Sequence, residues 1–507
     1  MRHPVDMPEK VGTDAKRLFA QPEHLWELTL TEASALVRHR RITSRQLVEA
    51  WLSRIADFSE LNAFISVDAA AALKQADSYD HYLEAGGDPL PLGGVPIAVK
   101  DNIQVVGFAN TAGTPALSKF FPTCNARVIE PLLKAGAIVV GKTNMHELAF
   151  GTSGYNTAYH IPGVIGVRNA FDHSCIAGGS SSGSGTAVGA LLIPAALGTD
   201  TGGSVRQPGA VNGCVGFRPT IGRYPVDGIT PISPTRDTPG PIARSVEDIV
   251  LLDSIITGAL PAEVPAAESI RLGVVDQLWA DLSEPVRKLT EDALRKLEQQ
   301  GVQIVRVSMS EIFEMSHAVS MPLALHECRS ALTEYLSANE TGVSFDELVA
   351  GISSPDVRTI FEDYILPGRL GELEGQSVDL EQAYATAMKD ARPKLIQSFE
   401  FLFKEHQLDA IIHPTTPDLA IKSNPAATSF EAFARMIRNA DPASNAGMPG
   451  ISLPAGLSQQ EGLPVGIEIE GLPGSDARLL SIANFIESIL GRGPTPTRSG
   501  VESKISM

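Results

Sequence analysis

The chain has 507 residues, 43% hydrophobic and 20% charged, an ordinary globular composition long enough for one large core or for two to three domains. Its net charge of −18 repels phosphate backbones and argues against a dedicated nucleic-acid binder. The four cysteines, Cys124, Cys175, Cys214 and Cys328, form no CxxC pair, and the start, MRHPVDMPEK, has no apolar core, so neither a disulfide framework nor a secretory signal is expected, and a cytoplasmic setting is.

Helical spacing predicts two helices over residues 29–57. Thr31 is expected to cap the first. Thr43 should cap the second, with Gln46 in the capping-box position and Leu47, Ala50, Trp51 and Ile55 on one face. From about residue 92 the pattern turns to short apolar runs between glycines and prolines. VPIAV (95–99) and AIVV (137–140) are continuous runs that suit strands buried on both faces, and RVIEPLLKAG (127–136) between them fits a short helix. Residues 176–204 are rich in Gly and Ser. Within them AVGALLIPAALG (187–198) is too short to span a bilayer and is expected to be a buried helix. A Pro- and Ala-rich linker is expected at 258–269. It is followed by a strand (272–275), a helix carrying Val286, Leu289, Ala293 and Leu297 on one face, and a strand (302–307). Residues 310–408 read as mostly helical, strands return at 409–413, 451–453 and 465–469, and a last helix covers 476–490. With no internal repeat, one compact α/β body with helical additions is the simplest organisation.

Lys100 ends the VPIAV run. It is either a strand-end lysine reaching solvent or a desolvated amine, whose pKa would fall by roughly 3–5 units and make it a base at neutral pH. GGSSSGSG (178–185) is either a flexible loop or, since apolar helix follows at once, a helix entrance with backbone donors. DTGGSVRQP (200–208) is either a glycine turn with a solvated serine or a tight turn that aims N–H groups at one point beside Ser204. Three short motif matches are weak. GAIVVGKT (136–143) fits a P-loop pattern with strand residues where the phosphate cradle should be. GSSSG (179–183) fits a nucleophile elbow centred on Ser181, and GSGTAVG (183–189) a dinucleotide fingerprint, but both lack the preceding strand. The eleven histidines show no metal-binding spacing, so neither a metal nor a cofactor is expected.

Taken together, GGVPIAVKDN (93–102), AGGSSSGSGTAV (177–188) and GTDTGGSVRQP (198–208) resemble the three diagnostic blocks of the amidase signature family, in order and with matching spacing. The resemblance extends to AGAIVVGKTNMHELAFG (135–151), AIIHPTTP (410–417) and the stretch 445–471, and is weakest over about 310–400. Ser182 stands where the family usually has glycine. The resemblance implies a large twisted mixed β-sheet covered by helices on both faces. It implies one domain over 1–507, with N-terminal helices to residue 70, a catalytic core at 71–260, a pocket-shaping addition at 270–408 and a return to the core at 409–507. It also implies a Ser–cisSer–Lys triad falling on Ser204, Ser180 and Lys100, with the N–H groups of Thr201, Gly202, Gly203 and Ser204 as oxyanion hole and Ser181, Asp200 and Arg206 in support.

Within the family the pattern is most similar to mandelamide hydrolase and its arylacetamide-cleaving relatives, and residues 156–185 are also similar to indoleacetamide hydrolases. The implied substrate is a small aryl carboxamide, with pocket walls from 310–440 and from near Phe150. No obligatory protein partner is implied, and a homodimer stays open. Two competing readings are a component of a tRNA-dependent amidotransferase, against which PDVRTIFEDYILPG (355–368) lacks the expected basic stretch, and a non-catalytic scaffold, against which all three triad positions are intact.

Overall fold

The computed structural model of the chain describes residues 24–373 and 376–496, so the reading of the first ten residues lies outside it. The first helix, Leu30–Arg38, is capped by Thr29 and not by Thr31. A capping box needs an acidic or amide side chain three positions on, and Thr29 finds it in Glu32, with bonds of 3.2 and 3.0 Å. Thr31 instead gives its N–H and hydroxyl to Asp248, each at 2.8 Å. The second helix, Ser44–Asp57, starts from Thr43 and Gln46 as expected and buries Leu47, Val48 and Trp51.

Eleven strands form one mixed sheet. They are β1 (Phe64–Val67), β2 (Pro96–Lys100), β3 (Ile138–Thr143), β4 (Ala195–Asp200), β5 (Val215–Arg218), β6 (Thr238–Ala243), β7 (Arg271–Val275), β8 (Gln303–Val307), β11 (Ala410–Pro414), β12 (Gly450–Leu457) and β13 (Pro464–Glu470). Their order is β1-β3-β2-β4-β6-β5-β12-β13-β11-β7-β8. β3, β2 and β4 run parallel, as do β11, β7 and β8, while the strands from β4 to β11 pair antiparallel. A separate hairpin pairs β9 (Arg369–Leu373) with β10 (Gln376–Asp379). The expected large mixed sheet with surrounding helices is the observed architecture.

The apolar runs of β2 and β4 alternate between two cores. Ile97, Val99 and Leu197 join the larger core with residues of helices Val246–Thr257, Glu284–Gln299 and Asp476–Leu490, while Ala98 and Ala196 face Ala187 and Val188 on the other side. A strand wetted on neither face shows no polar alternation, which is why these runs are continuous.

The stretch 187–198 departs from expectation. The helix Ser182–Gly189 stops early, Leu191 takes φ 61°, and β4 begins just after Pro194. Proline has no amide hydrogen to donate and clashes with a continuing helix, so the apolar run divides into a helix end and a strand. The 310–408 region is helical as expected, with Ile312–Ala338, Phe345–Ala350, Pro355–Ile360, Leu380–Thr386 and Arg392–His406, plus the unexpected hairpin. It builds its own core on Met145, Leu148 and Phe150, and so hangs over the ends of β2 and β4.

Candidate active site

Parallel strands β2 and β4 deliver Lys100 and Asp200 at their C-terminal ends, side by side in the sheet. Lys100 is fully buried. Its Nζ lies 2.8 Å from Ser180 Oγ and 2.7 Å from Thr199 Oγ1. Asn102 Nδ2 donates to the same threonine oxygen at 3.1 Å. Burial draws the lysine pKa down from 10.5 to about 7, against the opposing pull of the Asp200 and Asp237 carboxylates. Of the two readings of Lys100, the structure gives the desolvated amine.

Ser180 follows a cis Gly179–Ser180 peptide. It stands at the entrance of helix Ser182–Gly189, so the Gly/Ser-rich segment is ordered backbone and not a loose loop. Ser181 ties this segment to the glycine turn. Its N–H donates to the Ser204 carbonyl at 3.1 Å, its hydroxyl donates to the Thr199 carbonyl at 3.1 Å, and it accepts from the Thr199 N–H at 3.2 Å. That hydroxyl is spent on β4, so the Ser181 elbow is not formed. Ser182, which replaces the usual glycine, fits because it faces Gly154, where a Cβ would collide with its hydroxyl. The P-loop pattern falls on β3.

The turn 201–204 is held by Asp200, which accepts from the N–H groups of Gly203 at 2.7 Å and Val205 at 3.1 Å. Gly203 has φ 117°, a conformation that disfavours any side chain. Its N–H is already committed, so Gly203 leaves the expected set of oxyanion donors. The N–H groups of Thr201, Gly202 and Ser204 meet no protein acceptor among the described residues. Thr201 Oγ1 donates to Asp237 at 2.6 Å, and burial raises the Asp237 pKa.

Behind the turn lies a buried charge network. Arg206 bonds Asp200 (3.1 Å), Glu468 (2.5 Å), Glu470 (2.9 Å) and Ser444 (2.6 Å), and Arg218 bonds Asp200 (3.1 Å). Burial alone would raise the pKa of Asp200, but Arg206 and Arg218 hold it well below the usual carboxylate range. Burial lifts Glu468 to about 7, and His413 is raised by Glu470 in spite of burial. His413, Glu468 and Glu470 are the one trio of metal-ligand type among the described residues. The Arg206 guanidinium already supplies the positive charge there.

Above the turn opens a cavity of about 650 Å³, with Thr201, Gly202 and Ser204 in its floor. Apolar walls come from Phe150 and, in the 310–440 region, from Met321, Ile360, Tyr364, Phe430 and Phe433. Phe150 is one of the lining residues. Sequence reasoning missed Thr199, although it lies inside a diagnostic block. It also missed Glu468 and Glu470, whose signal was two acids at period two inside a strand that is otherwise apolar.

The family model described as Amidase matches residues 46–480. The chain belongs to the amidase family. Among amidase-family relatives, it is 37% identical over 474 residues to an indoleacetamide hydrolase of Rhizobium radiobacter, covering 91% of this chain and 97% of the relative. It is 33% identical to a glutamyl-tRNA(Gln) amidotransferase component of Salinispora tropica, covering 92% and 98%. Among solved structures, the peptide amidase from Stenotrophomonas maltophilia superposes with a TM-score of 0.77 at 28% identity, covering 93% and 98%. The protein is therefore an amide-hydrolysing enzyme of this family. No helix among the described residues is long and apolar enough to cross a membrane.

Proposed function

We propose that the enzyme hydrolyses primary amides of arylacetic acids to the carboxylate and ammonia, through an acyl-enzyme on Ser204. The observation that carries this reading is a fully buried lysine amine 2.8 Å from the Ser180 hydroxyl, on a segment whose next residue, Ser181, donates its N–H to the carbonyl of the cavity-lining Ser204. A neutral Lys100 amine donates a hydrogen to Thr199 Oγ1 and keeps its lone pair for the Ser180 proton. Ser180 passes its proton to Lys100 as it takes one from Ser204, and Ser204 Oγ attacks the amide carbon. The free N–H groups of Thr201, Gly202 and Ser204 stabilise the oxyanion, each worth about 2.7–4 kcal/mol of barrier where one such donor is removed. Lys100 then returns the proton through Ser180 to the departing nitrogen, the C–N bond breaks and ammonia leaves. Water adds to the Ser204 ester by the same relay and releases the acid.

The indoleacetamide hydrolase relatives support an aryl acyl group, and a cavity of about 650 Å³ with aromatic walls suits one. They support indoleacetamide more directly than mandelamide, which is the α-hydroxy member of the same class. Ammonia release from indole-3-acetamide, phenylacetamide, mandelamide, lactamide and glutamine tests the reading. The aryl amides should be turned over by the protein alone at kcat/KM at least tenfold above lactamide. A preference for glutamine would refute it and favour the amidotransferase reading.

A further inference from the structure

The cavity is lined by two carboxylates, and they differ in how completely their oxygens are used. Asp441 is closed. Its Oδ1 accepts from Arg236 at 2.7 Å and Ser320 at 3.0 Å, and its Oδ2 from Ser316 at 2.8 Å and Asn445 at 2.9 Å. Asp356, in helix Pro355–Ile360, is open. Its Oδ2 meets His146 Nε2 at 2.8 Å, while its Oδ1 has no partner among the described residues.

The rest of the chain of contacts fixes this arrangement. The Tyr155 N–H donates to Ser153 Oγ at 3.2 Å, and Ser153 Oγ lies 3.4 Å from His146 Nδ1. The consistent assignment has the Ser153 hydroxyl donating to Nδ1 and the Nε2 hydrogen donating to Asp356. Gly151 clears the ring, since a Cβ there would collide with it. Hence His146 is locked to one carboxylate oxygen, and the other is unpaired on a residue that lines the cavity. The backbone N–H of His146 donates to the Ser180 carbonyl at 3.1 Å, so this acceptor is anchored to the reaction centre itself.

We propose that Asp356 Oδ1 accepts a hydrogen bond from a donor carried on the acyl half of the substrate, and so selects donor-bearing arylacetamides over those of the same shape without one. This rests on the arylacetamide reading above. Among the lining carboxylate oxygens, those of Asp441 are filled and Asp356 Oδ1 is not, and a ligand that covers an anionic acceptor without giving it a donor is penalised. The donor has two sources, a ring N–H as in an indole or a hydroxyl on the α-carbon.

Two matched pairs separate them. Indole-3-acetamide is compared with benzofuran-3-acetamide, and mandelamide with 2-fluoro-2-phenylacetamide, by kcat/KM for ammonia release. The wild-type enzyme should favour the donor-bearing member of at least one pair by roughly tenfold or more, and the pair identifies the source. In Asp356→Ala that ratio should fall toward one. Ratios near one in both pairs for the wild type overturn the proposal without any variant, and so does a preference that survives in Asp356→Ala. Failure to turn over any arylacetamide sinks the functional reading instead, whereas turnover without discrimination sinks only this one.

Discussion

Raising the pH from 6 to 8 should increase kcat/KM about tenfold, because the reactive form of Lys100 is the unprotonated one. With its pKa drawn down to about 7 by burial, the amine is half neutral near pH 7. The neutral fraction is about one eleventh at pH 6 and about ten elevenths at pH 8, so the profile rises tenfold and then flattens. The assay is ammonia release from phenylacetamide at concentrations far below KM, where the profile reports the free enzyme and the substrate itself does not titrate. Asp237→Asn removes one of the two carboxylates that hold the lysine pKa up, so its midpoint should move to lower pH. A rate that is flat between pH 5.5 and 9 or falls with pH would refute the reasoning. So would a midpoint above 9, because it means a solvated amine.

Three further outcomes follow from the same geometry. Lys100→Met should be inactive yet more stable at pH 7 by roughly 1–3 kcal/mol after its lost hydrogen bonds are deducted, read from urea denaturation. The sign comes from linkage: between about pH 7 and 10.5 the unfolded lysine holds a proton that the folded one has lost, so wild-type stability rises with pH across that window and the advantage of the variant fades. Thr199→Val keeps the volume but removes the oxygen 2.7 Å from Nζ, and should lower kcat roughly 10–100-fold while leaving KM within a few-fold; an unchanged kcat would remove Thr199 from the site. Ser204→Ala should give no adduct with a fluorophosphonate by mass spectrometry, whereas wild type gives one; a labelled variant would move the nucleophile elsewhere.

Elements whose cause is local were legible from the chain. A continuous five-residue apolar run bounded by glycine suits a strand buried on both faces, and β2 with Lys100 is that. The Thr43 and Gln46 box is a matter of four neighbouring residues. Where two local readings compete, apolarity alone misleads. Residues 187–198 are apolar enough for helix or strand, and Pro194 decides between them. Long-range partners left little local trace. Nothing beside Arg206 announces that Glu468 will meet it from β13. The cavity was legible as a region, 310–440 with Phe150, but not as residues, because lining depends on how that helical addition sits over the sheet. Asp356 could not be told from any solvated helix-start acid.

The two bonds from Arg206 to Glu468 and Glu470 span 262 and 264 positions of chain. A polypeptide still emerging from the ribosome carries every reacting group by residue 204, yet its guanidinium has no anions from β13 until residue 470 has been made. Breaking a buried ion pair costs about 3–5 kcal/mol, so the Arg206 network, left with Asp200 as its one carboxylate, stays incomplete until then. Competence therefore arrives late and all at once. Truncations ending before Pro464 should be inert despite containing Lys100, Ser180 and Ser204, and a separately expressed C-terminal piece bearing β12 and β13 is the fragment with which to attempt complementation.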